Sequence, residues 1–238
     1  MKALILNSGL GKRMWDLTKI YPKCMTEVNS NTKETIISRQ VNLLLRNWIN
    51  DIVITTWFAA NLLEEYCNSL KLPLNIKYIQ NPIYTETNYI YSIYCAKEYL
   101  EDDIILMHGD LVFDEKVLRE VINNLQSCMV TSSTVPLPEK DFKAVVNNWL
   151  IKKIWIEFFE SSVMAMPLYK LNKIDWMIWL NNIIKFCDQW KTNVYAENAF
   201  NEISDLCKIM CLDIKDGFCA EIDNQEDLEL VKNELLSL

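Results

Sequence analysis

Two glycines and several basic residues follow the first apolar run of the chain. The segment Leu6–Met14 reads LNSGLGKRM, and Pro22-Lys23 comes eight residues after Met14. Glycines let a backbone approach a ligand closely, and successive loop N–H groups can form an anion-binding nest. Residues 1–23 carry five basic side chains and one acidic one, in a chain of formal net charge −8. The segment predicts a phosphate-binding loop, with an ordinary turn and solvated lysines as the alternative.

Two common phosphate loops fit this segment less well. The dinucleotide-binding pattern needs a third glycine where Met14 stands, and the P-loop needs Ser or Thr where Arg13 stands. A phosphate loop at this place is therefore expected to be of another type.

Two aspartates lie where predicted strands end. Asp110 follows the apolar run IILMH and Gly109, and Asp223 follows AEI just before the last predicted helix. Open α/β sheets bind ligands at the carboxyl ends of their strands. Mg²⁺ is typically held by one or two carboxylates together with substrate phosphates. Both aspartates are therefore candidate metal ligands, with an N-cap or turn role as the alternative for Asp223.

Short apolar runs alternate with helical periodicity through the first half of the chain, a pattern that favours parallel strands joined by helices. The second half contains a predicted hairpin over 143–158, a long helix over 173–189 and a terminal helix over 224–236. We expect an α/β fold: a three-layer, mostly parallel Rossmann-like sheet with a small β-hairpin insertion.

The segment LNSGLGKRM followed by Pro22-Lys23 resembles the nucleotidyltransferase family, and most of all its bacterial cholinephosphate cytidylyltransferases. The family pattern is Leu-Ala-Ala-Gly-x-Gly-x-Arg-Leu/Met followed by Pro-Lys, and Asn7-Ser8 replace its two alanines. The resemblance implies that Arg13 holds the departing pyrophosphate, that Lys23 reaches the reacting phosphates, and that Asp110 and Asp223 hold Mg²⁺. The implied nucleotide-binding residues are Leu6, Asn7, Ser8, Gly9, Gly11, Lys12, Arg13, Asn88 and Gly109.

Two further segments imply where the acceptor binds. The run TNYIYSIY, which begins at Thr87, resembles the Asn-x-x-Tyr-Ser-x-Tyr run of cholinephosphate cytidylyltransferases, and by that likeness Asn88 lies near the base or ribose. A quaternary ammonium is recognised by aromatic faces together with a carboxylate. The implied acceptor-binding residues are Tyr195 and Glu197, with Phe142 from the hairpin; core packing is the alternative for the aromatic residues.

The resemblance thus implies a Mg²⁺-dependent cytidylyltransferase. CTP and a phosphorylated amino-alcohol, with phosphocholine as first choice, would give a CDP-alcohol and pyrophosphate. Such catalysis rests on positioning and charge neutralisation. We expect one domain over 1–238, with a nucleotide-binding core at 1–134 and the acceptor-binding part and C-terminal helix at 135–238. The alternatives are a sugar-1-phosphate nucleotidylyltransferase and a non-catalytic nucleotide-binding domain.

Composition and charge narrow the class of protein. Half of the 238 residues are hydrophobic, which is enough for a substantial core. The negative net charge argues against a nucleic-acid partner, and no apolar run reaches the roughly 18 residues of a membrane span. Eight cysteines without a Cys-x-x-Cys pair, beside a single histidine, argue against a zinc site. We expect a cytoplasmic protein with reduced thiols and no membrane partner; its oligomeric state stays open, a homodimer included.

Glycine is scarce in this chain and tryptophan is abundant. There are 4 glycines and 8 tryptophans, whereas average usage would give about 16 glycines. Trp176 and Trp179 have helical spacing and suit a core. The other six mostly stand where a turn or a close approach favours glycine: Trp15, Trp48, Trp57, Trp149, Trp155 and Trp190. We hypothesise that some of these six correspond to UGA codons from a source that decodes UGA as glycine.

Overall fold

The computed structural model describes residues 1–7, 20–137, 139–215 and 217–237. Within these ranges the strands are β1 (Lys2–Leu6), β2 (Glu27–Asn29), β3 (Glu34–Thr35), β4 (Asp51–Thr56), β5 (Asn75–Gln80), β6 (Ile104–His108), β7 (Leu111–Phe113), β8 (Cys128–Ser132), β9 (Lys143–Asn147), β10 (Leu150–Trp155), β11 (Ser162–Leu171), β12 (Met210–Asp213) and β13 (Cys219–Glu221). The helices are α1 (Ile36–Arg46), α2 (Ala60–Ser69), α3 (Tyr89–Ala96), α4 (Glu115–Asn123), α5 (Lys173–Asp188), α6 (Ala196–Ile203) and α7 (Gln225–Ser237).

Strand β1 is buried on both faces and divides the core into two layers. Leu4 and Leu6 pack on one face, with residues of α3, α5 and α6. Ala3 and Ile5 pack on the other face, with residues of α1, α2 and α4. Successive strand side chains point to opposite faces, so the apolar run over 3–6 must be covered on both sides. Helices therefore cover both faces of the sheet, which gives three layers.

Nine strands form one sheet in the order β5-β4-β1-β6-β11-β8-β12-β10-β9. The strands β5, β4, β1 and β6 run parallel, as the alternation of strands and helices predicts. Beyond them, β11 is antiparallel to both β6 and β8. The expectation of a mostly parallel sheet is therefore wrong, and the sheet is mixed. Strands β9, β10 and β11 follow one another without a crossover helix, and strands joined by short connections pair antiparallel.

The hairpin β9–β10 belongs to this sheet and is not an insertion beside it. Strand β10 also pairs with β12, and β9 also pairs with β11, so the last five strands of the sheet close into a barrel-like ring. Strand β11 reaches three neighbours because it is ten residues long and its register with β8 shifts between Ala165 and Tyr169, around Pro167. Proline inside a run argues against a strand, and this strand is absent from the sequence prediction.

A smaller apolar cluster packs the C-terminal helix beside the end of β6. Its buried members include Val28 of β2, Val112 of β7 and Val231 of α7. Strand β13 pairs antiparallel with β7, which directly follows β6 in the chain. The C-terminal segment thereby returns to the carboxyl end of the central strands.

Two further properties concern the whole described part of the chain. All eight cysteines are free thiols, and six of them are buried. Among the helices in the described ranges, none has both the length and the apolar character needed to cross a bilayer.

Candidate active site

Strand β6 leads into Gly109-Asp110 beside the end of β1. The Gly109 N–H donates to the Leu6 carbonyl at 2.8 Å. A Cβ on Gly109 would lie 3.0 Å from Asn7 Oδ1 and 3.1 Å from the Leu6 carbonyl oxygen, so any larger residue would push these strand ends apart. The glycine therefore lets three residues of the predicted site, Leu6, Asn7 and Asp110, lie side by side.

Asp223 reaches the same place from the C-terminal end of the chain. The Ile222 N–H donates to the Asp110 carbonyl at 3.1 Å. Two other residues cap α7: the Asn224 side chain accepts from the Asp227 N–H at 3.0 Å, and the Asp227 carboxylate accepts from the Asn224 N–H at 3.1 Å. The alternative role of Asp223 as an N-cap side chain therefore does not apply.

Lys23 joins the two aspartates. It begins a short 3-10 turn, Lys23–Met25, after Pro22, and it is only 9% exposed. Its Nζ donates to Asp110 Oδ2 at 2.7 Å and to Asp223 Oδ1 at 2.8 Å. We call Lys23, Asp110 and Asp223 the charged corner.

Burial and charge oppose each other in the charged corner. Burial disfavours the charge of Lys23, but the carboxylates of Asp110 and Asp223 outweigh burial and raise the pKa of its ammonium. Burial would likewise raise the pKa of Asp110, but the contact with Lys23 outweighs it, and the pKa of this carboxyl is lowered. Lys23 and Asp110 are therefore both ionised near neutral pH.

The oxygen donors of the charged corner fit a hard divalent cation. Asp110 Oδ1 is buried and has no hydrogen-bond partner among the residues that the structure describes, while Asp110 Oδ2 holds Lys23. Carboxylate oxygens are the protein ligands that Mg²⁺ prefers. Asp110 and Asp223, the predicted metal ligands, are thus chemically suited to Mg²⁺.

His108 and Glu221 flank the charged corner, and neither belongs to the predicted site. His108 Nδ1 lies 3.1 Å from Glu221 Oε1, and the ligand atoms of His108, Asp110 and Glu221 all lie within 4.8 Å of one another. Burial acts to lower the pKa of His108, but its contact with Glu221 outweighs burial and raises it. Each stands two residues before an aspartate of the corner. His108 ends β6 and Glu221 ends β13, so a place at a strand end beside a predicted metal ligand was the sequence signal for both.

Glu197 is buried in the first turn of α6, and both of its carboxylate oxygens accept hydrogen bonds. It is 1% exposed. The Tyr169 hydroxyl donates to Glu197 Oε1 at 2.9 Å, and the Tyr89 hydroxyl donates to Glu197 Oε2. Burial, followed by the charge of Glu197, raises the pKa of both tyrosines well above the usual range, so both hydroxyls stay protonated. Hydrogen bonds from these two tyrosine hydroxyls therefore connect the Glu197 carboxylate to the neighbouring residues.

Tyr195 lies among three other aromatic rings. Its ring centroid is 5.1 Å from that of Phe142, 5.7 Å from that of Trp155 and 5.7 Å from that of Tyr89. We call Tyr89, Phe142, Trp155 and Tyr195 the aromatic cluster. Since the Tyr89 hydroxyl binds Glu197, the structure brings the three predicted acceptor residues, Tyr195, Phe142 and Glu197, to one place.

Tyr89 connects the aromatic cluster to the charged corner. Its ring meets the His108 ring edge-on, with centroids 4.9 Å apart, and His108 is two residues from Asp110. Asn88, predicted to lie near the base or ribose, is the N-cap of α3. Its Oδ1 accepts from the Tyr89 N–H at 2.7 Å, and its own N–H donates to the Thr192 carbonyl at 2.9 Å. As the N-cap, Asn88 thus fixes the start of α3 and thereby positions Tyr89, the first residue of that helix.

Part of the predicted phosphate loop lies outside the described residues. These predicted site residues are Ser8, Gly9, Gly11, Lys12 and Arg13. Among the described residues near this segment, Asn7 lies beside Gly109, and Lys23 donates to Asp110.

Comparison with known proteins places this chain among enzymes of nucleotide transfer. A CTP:phosphoglutamine cytidylyltransferase from Campylobacter jejuni is 24% identical, with 97% of this chain and 98% of that protein covered. A choline-phosphate cytidylyltransferase from Streptococcus pneumoniae is 32% identical over 48% of this chain and 46% of that protein. The structure of the inositol-1-phosphate CTP transferase from T. maritima matches with a TM-score of 0.79 at 21% identity, covering 97% of this chain and 94% of that chain, and so shares the fold.

A sequence profile of the nucleotidyl transferase family matches residues 2–143. This span is more than half of the chain and includes Lys23, Gly109 and Asp110. The chain therefore belongs to the nucleotidyl transferase family.

Proposed function

We propose that this chain is a cytidylyltransferase that transfers CMP from CTP to a phosphorylated amino-alcohol, with phosphocholine as the first choice, and releases pyrophosphate. The charged corner carries the proposal, because one ammonium and two carboxylates converge at the strand ends of a nucleotidyl transferase fold. The names of the relatives, which include two cytidylyltransferases, support CTP as the donor.

The charged corner suits a reaction at the α-phosphorus of the nucleotide. An acceptor phosphate oxygen attacks that phosphorus in line, and the bond to the pyrophosphate leaving group breaks without a covalent intermediate on the protein. Lys23 would neutralise charge on the α-phosphate, and Arg13 would hold the pyrophosphate. Asp110 and Asp223 would hold Mg²⁺, which neutralises phosphate charge when it is bound.

Nucleotide binding is assigned to the first part of the chain, 1–134, and acceptor binding to 135–238. In the first part, Leu6, Asn7, Asn88 and Gly109 would contact the nucleotide together with the predicted phosphate loop. Three rings of the aromatic cluster come from the second part, and Tyr89 comes from the first.

The aromatic cluster favours a cationic acceptor over a sugar phosphate. Both carboxylate oxygens of Glu197 accept from tyrosine hydroxyls that stay protonated, and Tyr89 links this side chain to the aromatic cluster. A quaternary ammonium gains from aromatic faces and from a nearby negative charge. A sugar would need several polar groups for its hydroxyls, whereas the cluster offers ring faces.

A second candidate acceptor is suggested by the relative that aligns with 97% of this chain. The protein from Campylobacter jejuni is named for phosphoglutamine. Phosphoglutamine is therefore the alternative to phosphocholine as the acceptor at the proposed site.

The test is pyrophosphate release measured across donors and acceptors in the presence of Mg²⁺. CTP, UTP and dTTP would each be combined with phosphocholine, phosphoglutamine, 2-aminoethylphosphonate and glucose-1-phosphate. We expect the highest kcat/KM with CTP and phosphocholine. Turnover only with glucose-1-phosphate would reject the amino-alcohol proposal. No turnover with any pair, together with equal nucleotide binding by wild type and Asp110→Ala, would favour a non-catalytic nucleotide-binding domain.

A further inference from the structure

Three exposed tryptophans have the backbone conformation that glycine adopts. Trp48, Trp149 and Trp190 have φ values of 63°, 63° and 61°. A Cβ atom disfavours this left-handed region, which glycine enters freely. Their exposed fractions are 89%, 67% and 86%, so packing of the indole rings does not offset the backbone cost.

Trp48 stands at the end of α1, at the position where a helix most often ends in glycine. Its N–H donates to the Leu45 carbonyl at 3.0 Å, and the N–H of Ile49 donates to the Leu44 carbonyl at 3.0 Å. This pair of bonds is the Schellman motif, and Trp48 is its C′ residue. Glycine is common there because the C′ residue must be left-handed.

Trp190 repeats the same motif at the end of α5. Its N–H donates to the Cys187 carbonyl at 2.9 Å, and the N–H of Lys191 donates to the Phe186 carbonyl at 2.9 Å. Trp190 is again the left-handed C′ residue. Two helices of this chain thus end in the same way, each with tryptophan in the position that favours glycine.

Trp149 lies in the two-residue turn of the hairpin β9–β10. Asn147 and Leu150 pair across the turn, and the two residues between them, Asn148 and Trp149, have φ values of 50° and 63°. Two-residue hairpin turns with positive φ at both positions strongly prefer Asn-Gly. Asparagine is present here, and tryptophan takes the place of the glycine.

The remaining tryptophans do not share this combination. Trp176 and Trp179 are fully buried, and each indole N–H donates to a main-chain carbonyl at 2.9 Å. Trp57 and Trp155 are not left-handed and pack against aromatic rings. Trp15 lies outside the described residues. The backbone argument therefore applies to three of the six positions that composition singled out.

We propose that glycine is the natural residue at positions 48, 149 and 190, and that their codons are UGA in a source that reads UGA as glycine. The proposal rests on two independent observations. The chain has only 4 glycines, and three of its 8 tryptophans have a positive φ and a solvent-exposed side chain. It does not depend on the proposed enzymatic function.

The first test is the nucleotide sequence, with the mass of the corresponding peptides from the native protein. We expect UGA at codons 48, 149 and 190, UGG at codons 176 and 179, and peptide masses that contain glycine. A UGG codon at any of the three positions, or a tryptophan-containing native peptide, overturns the proposal for that position.

The second test is the thermal stability of the tryptophan protein against the triple variant Trp48→Gly, Trp149→Gly, Trp190→Gly. We expect the unfolding midpoint of the triple variant to be about 6 °C higher or more, because three strained positions are relieved in a domain of this size. Recovery of folded protein only with the three glycines supports the proposal equally. A midpoint at or below that of the tryptophan protein overturns it.

The matched control is the double variant Trp57→Gly, Trp155→Gly. These positions are not left-handed, and their side chains contact Tyr84 and Tyr195. Their substitution should lower the midpoint. An equal rise in both variants would show that removal of any tryptophan stabilises the chain, and would overturn the conformational argument.

Discussion

The carboxylates of the charged corner and the Glu197 carboxylate beside the aromatic cluster are stabilised in different ways. Asp110 and Asp223 share the ammonium of Lys23, so opposite charges meet directly. Glu197 instead accepts from the neutral hydroxyls of Tyr89 and Tyr169. An ion pair offsets charge, whereas neutral donors satisfy the lone pairs of a carboxylate and leave its negative charge in place.

Because of this difference, we expect the charged corner and the aromatic cluster to bind chemically different parts of the substrates. In the proposed reaction, the ammonium of the charged corner would bind phosphate oxygens, and its two carboxylates would bind a divalent cation. At the aromatic cluster a hydrogen bond to Glu197 holds the Tyr89 ring, and the proposed contact is between the aromatic rings and a cationic group. Substitutions in the charged corner should therefore change the rate of the chemical step, and those around the cluster should change acceptor binding.

The largest effect is expected for Asp110→Asn, which keeps the shape of the side chain and removes its charge. The kcat of pyrophosphate release should fall by about 10²–10³-fold, because a group that organises charge at the reacting phosphates is lost. The control is Asp114→Asn, at the N-cap of α4, where asparagine keeps the cap bond from the Val117 N–H and loses only the acceptor of the Phe218 N–H. A kcat for Asp110→Asn within about threefold of wild type would contradict the role of the charged corner.

Lys23→Met should lower kcat by about 10²-fold and leave two carboxylates without their shared cation. Each carboxylate is about a quarter exposed, so the stability cost is about 1–3 kcal/mol after solvent screening. Mg²⁺ should then raise the unfolding midpoint of this variant more than that of wild type. Lys152→Met, which breaks the exposed pair with Asp205, is the control and should show no such gain. An identical response to Mg²⁺ in Lys23→Met and wild type would argue against a cation site at the corner.

Glu197→Gln should raise the KM for phosphocholine about tenfold and leave the KM for CTP unchanged, because a negative charge beside the aromatic faces is removed. The measurement compares phosphocholine with 3,3-dimethylbutyl phosphate, an isostere that keeps the phosphate and lacks the ammonium charge. The isostere should lose little with the variant. If both acceptors weaken equally, Glu197 shapes the region and its charge plays no part in recognition.

The smallest effect is expected for Tyr89→Phe, which keeps the ring and removes one hydroxyl from Glu197. We expect the KM for the acceptor to rise a few-fold and stability to fall by about 1–2 kcal/mol, because a hydrogen bond to a buried carboxylate is lost. Tyr169→Phe removes the other hydroxyl bond without altering a ring of the aromatic cluster. A KM change in Tyr169→Phe equal to that in Tyr89→Phe would show that the Tyr89 hydroxyl has no special role in acceptor binding.

Local patterns were enough to predict the parallel half of the sheet and the residues at its strand ends. The uninterrupted apolar residues of β1 and β6 require burial on both faces, and Gly109-Asp110 ends the second of these runs. The hairpin β9–β10 followed from period-two alternation. Both are short-range features, which depend on neighbouring residues in the sequence.

The antiparallel half was not predictable in the same way. Strand β11 contains Pro167, and the strand accommodates it with a shift of register against β8. Its place between β6 and β8 depends on pairings with distant strands. The hydrogen bond from the Tyr169 hydroxyl to Glu197 was not predicted for the same reason, because Tyr169 lies on β11, a strand that the apolar pattern of the sequence does not reveal.

The sequence by itself determined the kinds of residue available for phosphate and metal chemistry, and the strand ends at which Asp110 and Asp223 stand. Only the tertiary structure decided that one lysine bridges them, across separations of 87 and 200 residues, and that Glu197 is buried under two tyrosines. The physical reason is that side-chain chemistry and strand periodicity are local properties. Contacts between distant residues depend instead on the order in which strands pair, which several distant segments set together.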